Sequence, residues 1–202
     1  MMAVWDWVSQ ADRPKLILLL TTAATVIFIG MLAVGRDTTR QGGPSVVVFA
    51  RAGSERDARA ILRQWGPRGQ RAAKRSLWID YVFLLLYTML LSLTCAYLAI
   101  VVKDSSLWSW LAAFLSWLGT VLAWLALLGG IADALENTAL LMQLPDHASG
   151  TAARVARLAA RAKFVVIGGC LVYVGLARGF SWLLVTSEVV PGPVEVEVAV
   201  PA

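Results

Sequence analysis

Three carboxylates near the ends of two apolar segments are the residues of this chain best suited to chemistry. Asp80 lies about one helical turn inside an apolar segment, while Asp133 and Glu136 follow the end of the next one, beside Asn137. If both segments cross a membrane as helices, these side chains lie at one level, and Tyr87 shares a polar helix face with Asp80. Ionisable groups at such a depth are costly and are therefore candidates for function.

We call these five residues the polar cluster, and two interpretations of it remain open. The carboxylates can form structural salt bridges at the helix ends, because Arg157, Arg161 or Lys163 would reach that level. They can instead bind a cation or a substrate, which would suit a small transporter. Structural pairing and ligand binding therefore both stand as hypotheses.

Most familiar reaction centres are not encoded. The single histidine, His147, lies outside the apolar segments, so histidine pairs cannot ligate a haem inside a bundle. Cys95 and Cys170 form no CxxC motif, and zinc sites of the Cys/His type lack ligands. The sequence also lacks a phosphate-binding P-loop, a GxSxG elbow and an HExxH motif. We therefore predict no catalytic residue, no metal ligand and no bound cofactor.

Four apolar segments position the polar cluster. Of the 202 residues, 58% are hydrophobic and 15% are charged, whereas soluble proteins average about 25% charged residues. The segments cover residues 16–35, 77–102, 107–131 and 164–185, each close to the ~20 residues that a helix needs to cross a bilayer. The predicted fold is all-α, a four-helix transmembrane bundle forming a single membrane domain over residues 1–202.

Basic residues predict the orientation of the four helices. Loops 36–76 and 132–163 together hold fourteen lysines and arginines, and the opposite side holds three. The positive-inside rule therefore predicts that both loops are cytoplasmic and both termini external. Arg154, Arg157 and Arg161 fall on one helical face and are predicted to contact lipid headgroups. Nucleic-acid binding is not expected, because no groove-reading or base-stacking module accompanies the charge.

Tryptophans near the segment ends are predicted to lie at the membrane interfaces. Trp78 would mark the cytoplasmic interface. The outer belt would consist of Trp5, Trp7, Trp108, Trp110 and Trp182. These positions agree with the orientation that the basic residues predict.

The first loop contains a predicted amphipathic helix. Val46–Phe49 precedes it as a β-branched run that we expect to be extended. Ser54, with Asp57 three residues later, has the pattern of a helix N-cap. One apolar face then follows at helical spacing, formed by Ala58, Ile61, Leu62 and Trp65. Gly66 and Pro67 are expected to end this helix.

Small residues form a stripe along the third segment and a shorter one along the fourth. Such stripes let helices approach closely in lipid. The predicted helix-packing interface consists of Ser116, Gly119, Ala123, Ala126, Gly130, Gly175 and Gly179. It can pack the bundle itself or receive another subunit. Arg178, a charge inside the fourth segment, can snorkel outward or contact a carboxylate of a partner.

The cysteines and the C-terminal tail carry weaker signals. Cys95 and Cys170 are predicted to be free, buried thiols at different depths, too far apart for a disulfide. The tail 186–202 is expected to be flexible. Within it, Pro191–Val200 alternates valine with glutamate, a pattern that can pair as a strand with another chain.

Three stretches resemble a family of uncharacterised bacterial four-helix membrane proteins. They are AILRQWG at 60–66, LWIDYVFLLLY at 77–87 and IADALENTAL at 131–140. The last two contain the patterns Asp-x-x-Phe-x-x-x-Tyr and Asp-x-x-Glu-Asn, and the likeness covers about half of the chain. It implies the four-helix architecture and a bacterial inner membrane, and it directs attention to the polar cluster. That family has no assigned activity, so the resemblance implies no function.

Three functional hypotheses follow. The first is a non-catalytic accessory or interaction subunit of a larger membrane complex, suggested by the small-residue stripes, the tail and the missing reaction centre. A small transporter or cation-binding protein that uses the carboxylates is an alternative. A lipid-modifying enzyme at the cytoplasmic interface is another. The expected partners are membrane lipids and other membrane subunits or further copies of the chain.

Overall fold

The chain folds as a bundle of long helices. A computed structural model describes residues 4–39, 43–52, 54–105, 108–144 and 149–188, and these form five helices and no strand. The helices are α1 (Arg13–Thr39), α2 (Val46–Arg51), α3 (Glu55–Lys103), α4 (Ser109–Gln143) and α5 (Gly150–Glu188). All except α2 contain a window long and apolar enough to cross a membrane. The predicted all-α, four-helix fold with an amphipathic helix in the first loop is confirmed.

α3 and α4 form the centre of the bundle. α5 packs against both of them, while α1 packs mainly against α3. The core between the helices includes Leu93, Leu98, Leu122 and Tyr173, all buried. Large apolar side chains on the outer faces are exposed, as expected for helices that contact lipid rather than water. Because α1 is held mainly through α3, its other sides remain open.

The short helix α2 corrects one prediction. Val46–Phe49, expected to be extended, is helical. Ser45 caps the helix by accepting a hydrogen bond from the Val48 amide, and Phe49 is buried edge-on against Trp65, with ring centroids 5.0 Å apart. Packing of the Phe49 ring and the cap together outweigh the strand preference of the valines.

The amphipathic helix of the first loop is followed directly by the helix of the second span, and α3 comprises both. Ser54 caps it as predicted, accepting from the Asp57 amide at 3.1 Å. The predicted end at Gly66 and Pro67 is confirmed, because Gly66 leaves the helical conformation and a second helix begins directly after it within the range of α3. Gly66 has φ 56°, a conformation open to glycine, and Pro67 suits the first turn of the helix that follows.

α4 and α5 also extend beyond the predicted spans. α4 continues to Gln143 and α5 begins at Gly150, so most of the loop predicted for 132–163 is helical. α5 ends at Glu188, two residues beyond the predicted start of the flexible tail. The alternating stretch Pro191–Val200 lies outside the described residues, as does His147.

The N-terminal turn folds back into the bundle. Trp5, predicted for the outer belt, is 6% exposed, and its indole N–H donates to Ser92 Oγ at 3.0 Å. The buried Arg13 guanidinium donates to the Trp5 carbonyl at 2.8 Å and thereby holds the turn in place. Trp7, Trp108, Trp110 and Trp78 are exposed, whereas nothing is described of the Trp182 side chain. Trp5 is buried inside the bundle because Ser92 accepts a hydrogen bond from its indole N–H there.

The two cysteines are free and buried, as predicted. They nevertheless belong to the same buried cluster and lie close enough to interact with each other, so the predicted difference in depth is wrong. That prediction started the fourth span at residue 164. In the structure Lys163 already lies beside Asp133, which means that α5 enters the bundle earlier and carries Cys170 to the level of Cys95.

Candidate functional site

The polar cluster comes together between α3 and α4. Tyr87 Oη donates to Asp133 Oδ2 at 2.7 Å, and Asn137 Nδ2 donates to Asp80 Oδ2 at 2.8 Å. Asp133, Glu136 and Asn137 are each buried. The two helices run in opposite directions. Tyr87, the later residue on α3, therefore contacts Asp133, the earlier residue on α4. Both hydrogen bonds satisfy carboxylate oxygens that would otherwise be costly to bury.

Lys163 of α5 supplies the positive charge of the cluster. Its Nζ lies 2.6 Å from Asp133 Oδ1 and 2.7 Å from Glu136 Oε2, with its side chain 12% exposed. The cluster therefore contains a structural salt bridge. The sequence offered Arg157, Arg161 or Lys163 as its cation, and the structure has Lys163. Lys163 was not among the candidate site residues, because its register against α4 depends on how α5 packs.

The polar cluster holds more carboxylates than cations. Asp80, Asp133 and Glu136 lie near one another, and Lys163 pairs with the last two. Glu136 Oε2 is buried, and its partner among the described residues is Lys163 Nζ at 2.7 Å. Among the described residues no group of three or more His, Cys, Asp or Glu side chains is arranged to hold a metal ion.

A cavity of about 620 Å³ opens beside the polar cluster. It lies between α1 and α5, with α3 and α4 behind it and α2 at the end nearest the loops. Its volume falls within the range of small-molecule sites, about 300–1,000 Å³. Most of its lining is apolar, including Met31, Leu32, Leu90, Leu91, Ile167 and Leu171.

Polar groups are concentrated at the loop side of this cavity. The lining there includes Lys163 and four residues of the polar cluster, namely Asp80, Asp133, Glu136 and Asn137. Arg36 in the last turn of α1 and Arg51 in the last turn of α2 also line it, and both are exposed. Farther along α3 and α5 the lining becomes apolar. The cavity therefore has one charged end and one apolar end, and sequence reasoning had not assigned Arg36 or Arg51 to it.

The opposite end of the bundle is filled. Ser92, the partner of Trp5, lies twelve residues after Asp80 on α3, which is about 18 Å along a helix. Trp5 and Val8 belong to the same buried core as Leu93 and Leu98. The cavity thus reaches from the loop side toward the middle of the bundle, and the N-terminal turn packs beyond it.

The predicted small-residue interface divides into two parts. A Cβ added at Gly119 would overlap Tyr173, and one at Gly130 would lie 2.6 Å from Thr88 Oγ1. Ala123 and Ala126 are buried as well, and Ser116 is half-buried. The stripe on α4 therefore packs within the bundle. On α5, by contrast, nothing lies within 4 Å of a Cβ added at Gly175 or Gly179.

The remaining basic candidates lie on α5. Arg154 and Arg161 are exposed and Arg157 is half-buried in the first turns of the helix, and Arg154 Nε donates to the Gly150 carbonyl at 3.2 Å. Arg178 is exposed near the other end of the helix, between Gly175 and Gly179 in sequence. None of these four lines the cavity.

The chain matches no known family model, no curated protein and no solved structure. The resemblance noted in three stretches of the sequence therefore stays a prediction. Function has to be inferred from the cavity and the polar cluster.

Proposed function

We propose that this protein binds a lipid-class amphiphile, without catalysis, in the cavity between α1 and α5. The observation that carries the proposal is the polarity of the cavity, which is charged at the loop side and apolar toward the middle of the bundle. A lipid in the adjoining leaflet has the same order, with its headgroup at the interface and its chains toward the midplane. Since α1 packs mainly against α3, such a molecule can enter sideways between α1 and α5.

Two observations favour binding over ion transport. Lys163 Nζ already lies between Asp133 and Glu136, where a transported cation would have to bind. The Trp5 turn packs into the core beyond the cavity, which argues against a continuous path across the bundle. A transporter that uses the carboxylates therefore ranks below a binding protein.

Filling the cavity is expected to displace the bound lipid. Gly35 lines the cavity and Gly30, one and a half turns earlier on α1, does not, and an added Cβ meets nothing within 4 Å at either position. Gly35→Trp should lower lipid occupancy by roughly tenfold, the effect of about 1.4 kcal/mol of lost affinity. Native mass spectrometry of the protein in mild detergent measures this, with Gly30→Trp as the matched control.

The outcomes of that experiment are distinct. Equal lipid occupancy in the two variants would refute binding in this cavity. A bound lipid whose mass changes during incubation would replace the binding function with the lipid-modifying alternative. Retained lipid in Gly30→Trp and loss in Gly35→Trp would support the proposal.

The proposed location is a bacterial inner membrane, with both termini outside and loops 36–76 and 132–163 in the cytoplasm. The support is the excess of basic residues in these loops, fourteen against three on the other side. The lipid would then come from the cytoplasmic leaflet. Fusion of a reporter that is active only outside the membrane, placed after Ala202, should give activity, whereas a fusion after Arg51 should not. The reverse pattern would refute the orientation.

A second candidate function, an interaction subunit of a larger membrane complex, is favoured by the open face of α5. Glycines with free space above them allow close approach of another helix in lipid, and Gly175 and Gly179 have that space. Arg178 lies beside them and is exposed. The binding function and the subunit function are compatible, because the cavity and this face involve different residues.

Gly175→Leu should abolish association with a partner subunit or a second copy while leaving the fold intact. No described residue lies within 4 Å of a Cβ added at this position, so a leucine there is expected to leave the bundle intact and to block close contact with another helix. Native mass spectrometry and size exclusion of the protein from its own membrane measure the association, with Gly30→Leu as the control. If the wild-type protein is a monomer without a partner in these measurements, the proposed subunit function is refuted.

A further inference from the structure

The charged end of the cavity has two layers at different depths. Phe28 of α1 packs against Phe83 of α3, with ring centroids 5.5 Å apart, and the two helices run in opposite directions. Arg36 lies eight residues from Phe28 toward the loops, whereas Asp80 lies three residues from Phe83 in the same direction. At about 1.5 Å per residue, Arg36 is therefore roughly 7–8 Å closer to the loops than Asp80.

The inner layer consists of carboxylates whose partners belong to the protein itself. Lys163 Nζ lies 2.6 Å from Asp133 Oδ1 and 2.7 Å from Glu136 Oε2. Asp80 Oδ2 accepts a hydrogen bond from the Asn137 amide at 2.8 Å. A ligand that enters the cavity therefore meets carboxylates that are already ion-paired or hydrogen-bonded within the bundle.

The outer layer contains two arginines that are not engaged in this way. Arg36 lies in the last turn of α1 and Arg51 in the last turn of α2, and both are exposed and line the cavity. No ion pair between described side chains involves either of them. Ser45 and Thr39, which line the same end, are neutral. The charge that the cavity offers to a ligand at its loop side is therefore positive.

We propose that the occupant is an acidic phospholipid, whose phosphate binds Arg36 and Arg51 and one of whose acyl chains occupies the apolar end of the cavity. This inference rests on the proposed function and names the headgroup. Guanidinium groups bind phosphate through paired, charge-assisted N–H bonds. An ammonium beside that phosphate would be repelled by the two arginines, and the carboxylates behind them already have partners. A headgroup with net negative charge therefore fits better than a zwitterionic one.

The wild-type protein tests the headgroup directly. Detergent-solubilised protein is mixed with equal amounts of phosphatidylglycerol and phosphatidylethanolamine that carry the same acyl chains, and bound lipid is quantified by native mass spectrometry. Phosphatidylglycerol should bind in roughly tenfold excess, as expected when two basic groups act on one additional negative charge. Equal binding, or a preference for phosphatidylethanolamine, would overturn the inference.

A competition experiment separates an acidic lipid from a free phosphate. Dodecyl phosphate should displace phosphatidylglycerol from the wild-type protein, whereas dodecanol and inorganic phosphate at the same concentration should not. Displacement by inorganic phosphate as strong as that by dodecyl phosphate would identify a free anion as the ligand and overturn the lipid assignment. Equal displacement by dodecanol would show that the headgroup contributes nothing.

Arginine variants locate the headgroup. Arg36→Gln and Arg51→Gln each replace an exposed side chain, so the fold should remain, and the double variant should reduce the preference for phosphatidylglycerol to near equality. Arg63→Gln removes an exposed arginine that does not line the cavity and should leave the preference unchanged. A preference that survives the double variant, or that falls equally in Arg63→Gln, would overturn the inference, because the basic surface in general would then bind the lipid.

The inference and the proposed function fail in different ways. Equal binding of the two lipids by the wild-type protein refutes the acidic headgroup but leaves lipid binding intact. Equal occupancy in Gly35→Trp and Gly30→Trp refutes binding in the cavity and the headgroup assignment with it. If an arginine variant does not fold, the lipid comparison with the wild-type protein decides alone.

Discussion

Lys163→Met is expected to destabilise the protein by about 3–5 kcal/mol, the usual cost of removing one partner from a buried ion pair. Lys163 Nζ pairs with Asp133 and Glu136 at 2.6 and 2.7 Å. Methionine fills a similar volume but leaves the carboxylates without a cation in an apolar surrounding. Thermal or denaturant unfolding in mild detergent, followed by circular dichroism, measures the loss.

Lys15→Met is the matched control for this change. Lys15 forms an exposed pair with Asp12 at 3.4 Å, and such surface pairs contribute about 0–1 kcal/mol. Adding Asp133→Asn and Glu136→Gln to Lys163→Met should restore part of the stability, because the unpaired charges are then gone. Unaltered stability of Lys163→Met would mean that the carboxylates are held neutral and that Lys163 balances no charge.

Gly119→Ala is expected to destabilise the bundle, although alanine favours helices over glycine. The added Cβ would lie 2.6 Å from Tyr173 Cζ and 2.9 Å from Ala99 Cβ. Tyr173 is 2% exposed, so its ring cannot swing aside. Overpacking costs about 1–3 kcal/mol, more than the roughly 1 kcal/mol that helix propensity returns. A lowered midpoint of unfolding in mild detergent is the expected observation.

Two further variants separate overpacking from a general effect of replacing glycine. Gly30→Ala meets nothing within 4 Å and should keep or slightly raise the stability. Tyr173 Oη is buried and has no hydrogen-bond partner among the residues that the structure describes, and it is the atom nearest to the added methyl group. Tyr173→Phe should therefore cost little by itself and should partly rescue Gly119→Ala. If Tyr173→Phe does not restore stability to Gly119→Ala, the steric overlap lies with Ala99 Cβ instead.

Local sequence patterns determined the number of membrane helices and the composition of the polar cluster. Each long apolar run must satisfy its backbone hydrogen bonds internally, so each becomes a helix whatever surrounds it. α3 and α4 are joined by only a few residues between Lys103 and Ser109. A connection this short makes the helices antiparallel neighbours with little freedom of register. The sequence alone therefore places Asp80 and Asn137 at one level.

Tertiary structure alone decided which cation joins the cluster and where a ligand fits. The register of α5 depends on its packing against α3 and α4, so neither the pairing of Lys163 nor the contact between Cys95 and Cys170 follows from local spacing. Likewise, the burial of Trp5 depends on Ser92, which is far away in sequence and accepts the indole N–H. The cavity exists because α1 packs mainly against α3 and leaves space beside α5. Periodicity describes which face of a helix is apolar, but distances between helices are set by contacts among residues remote in the chain.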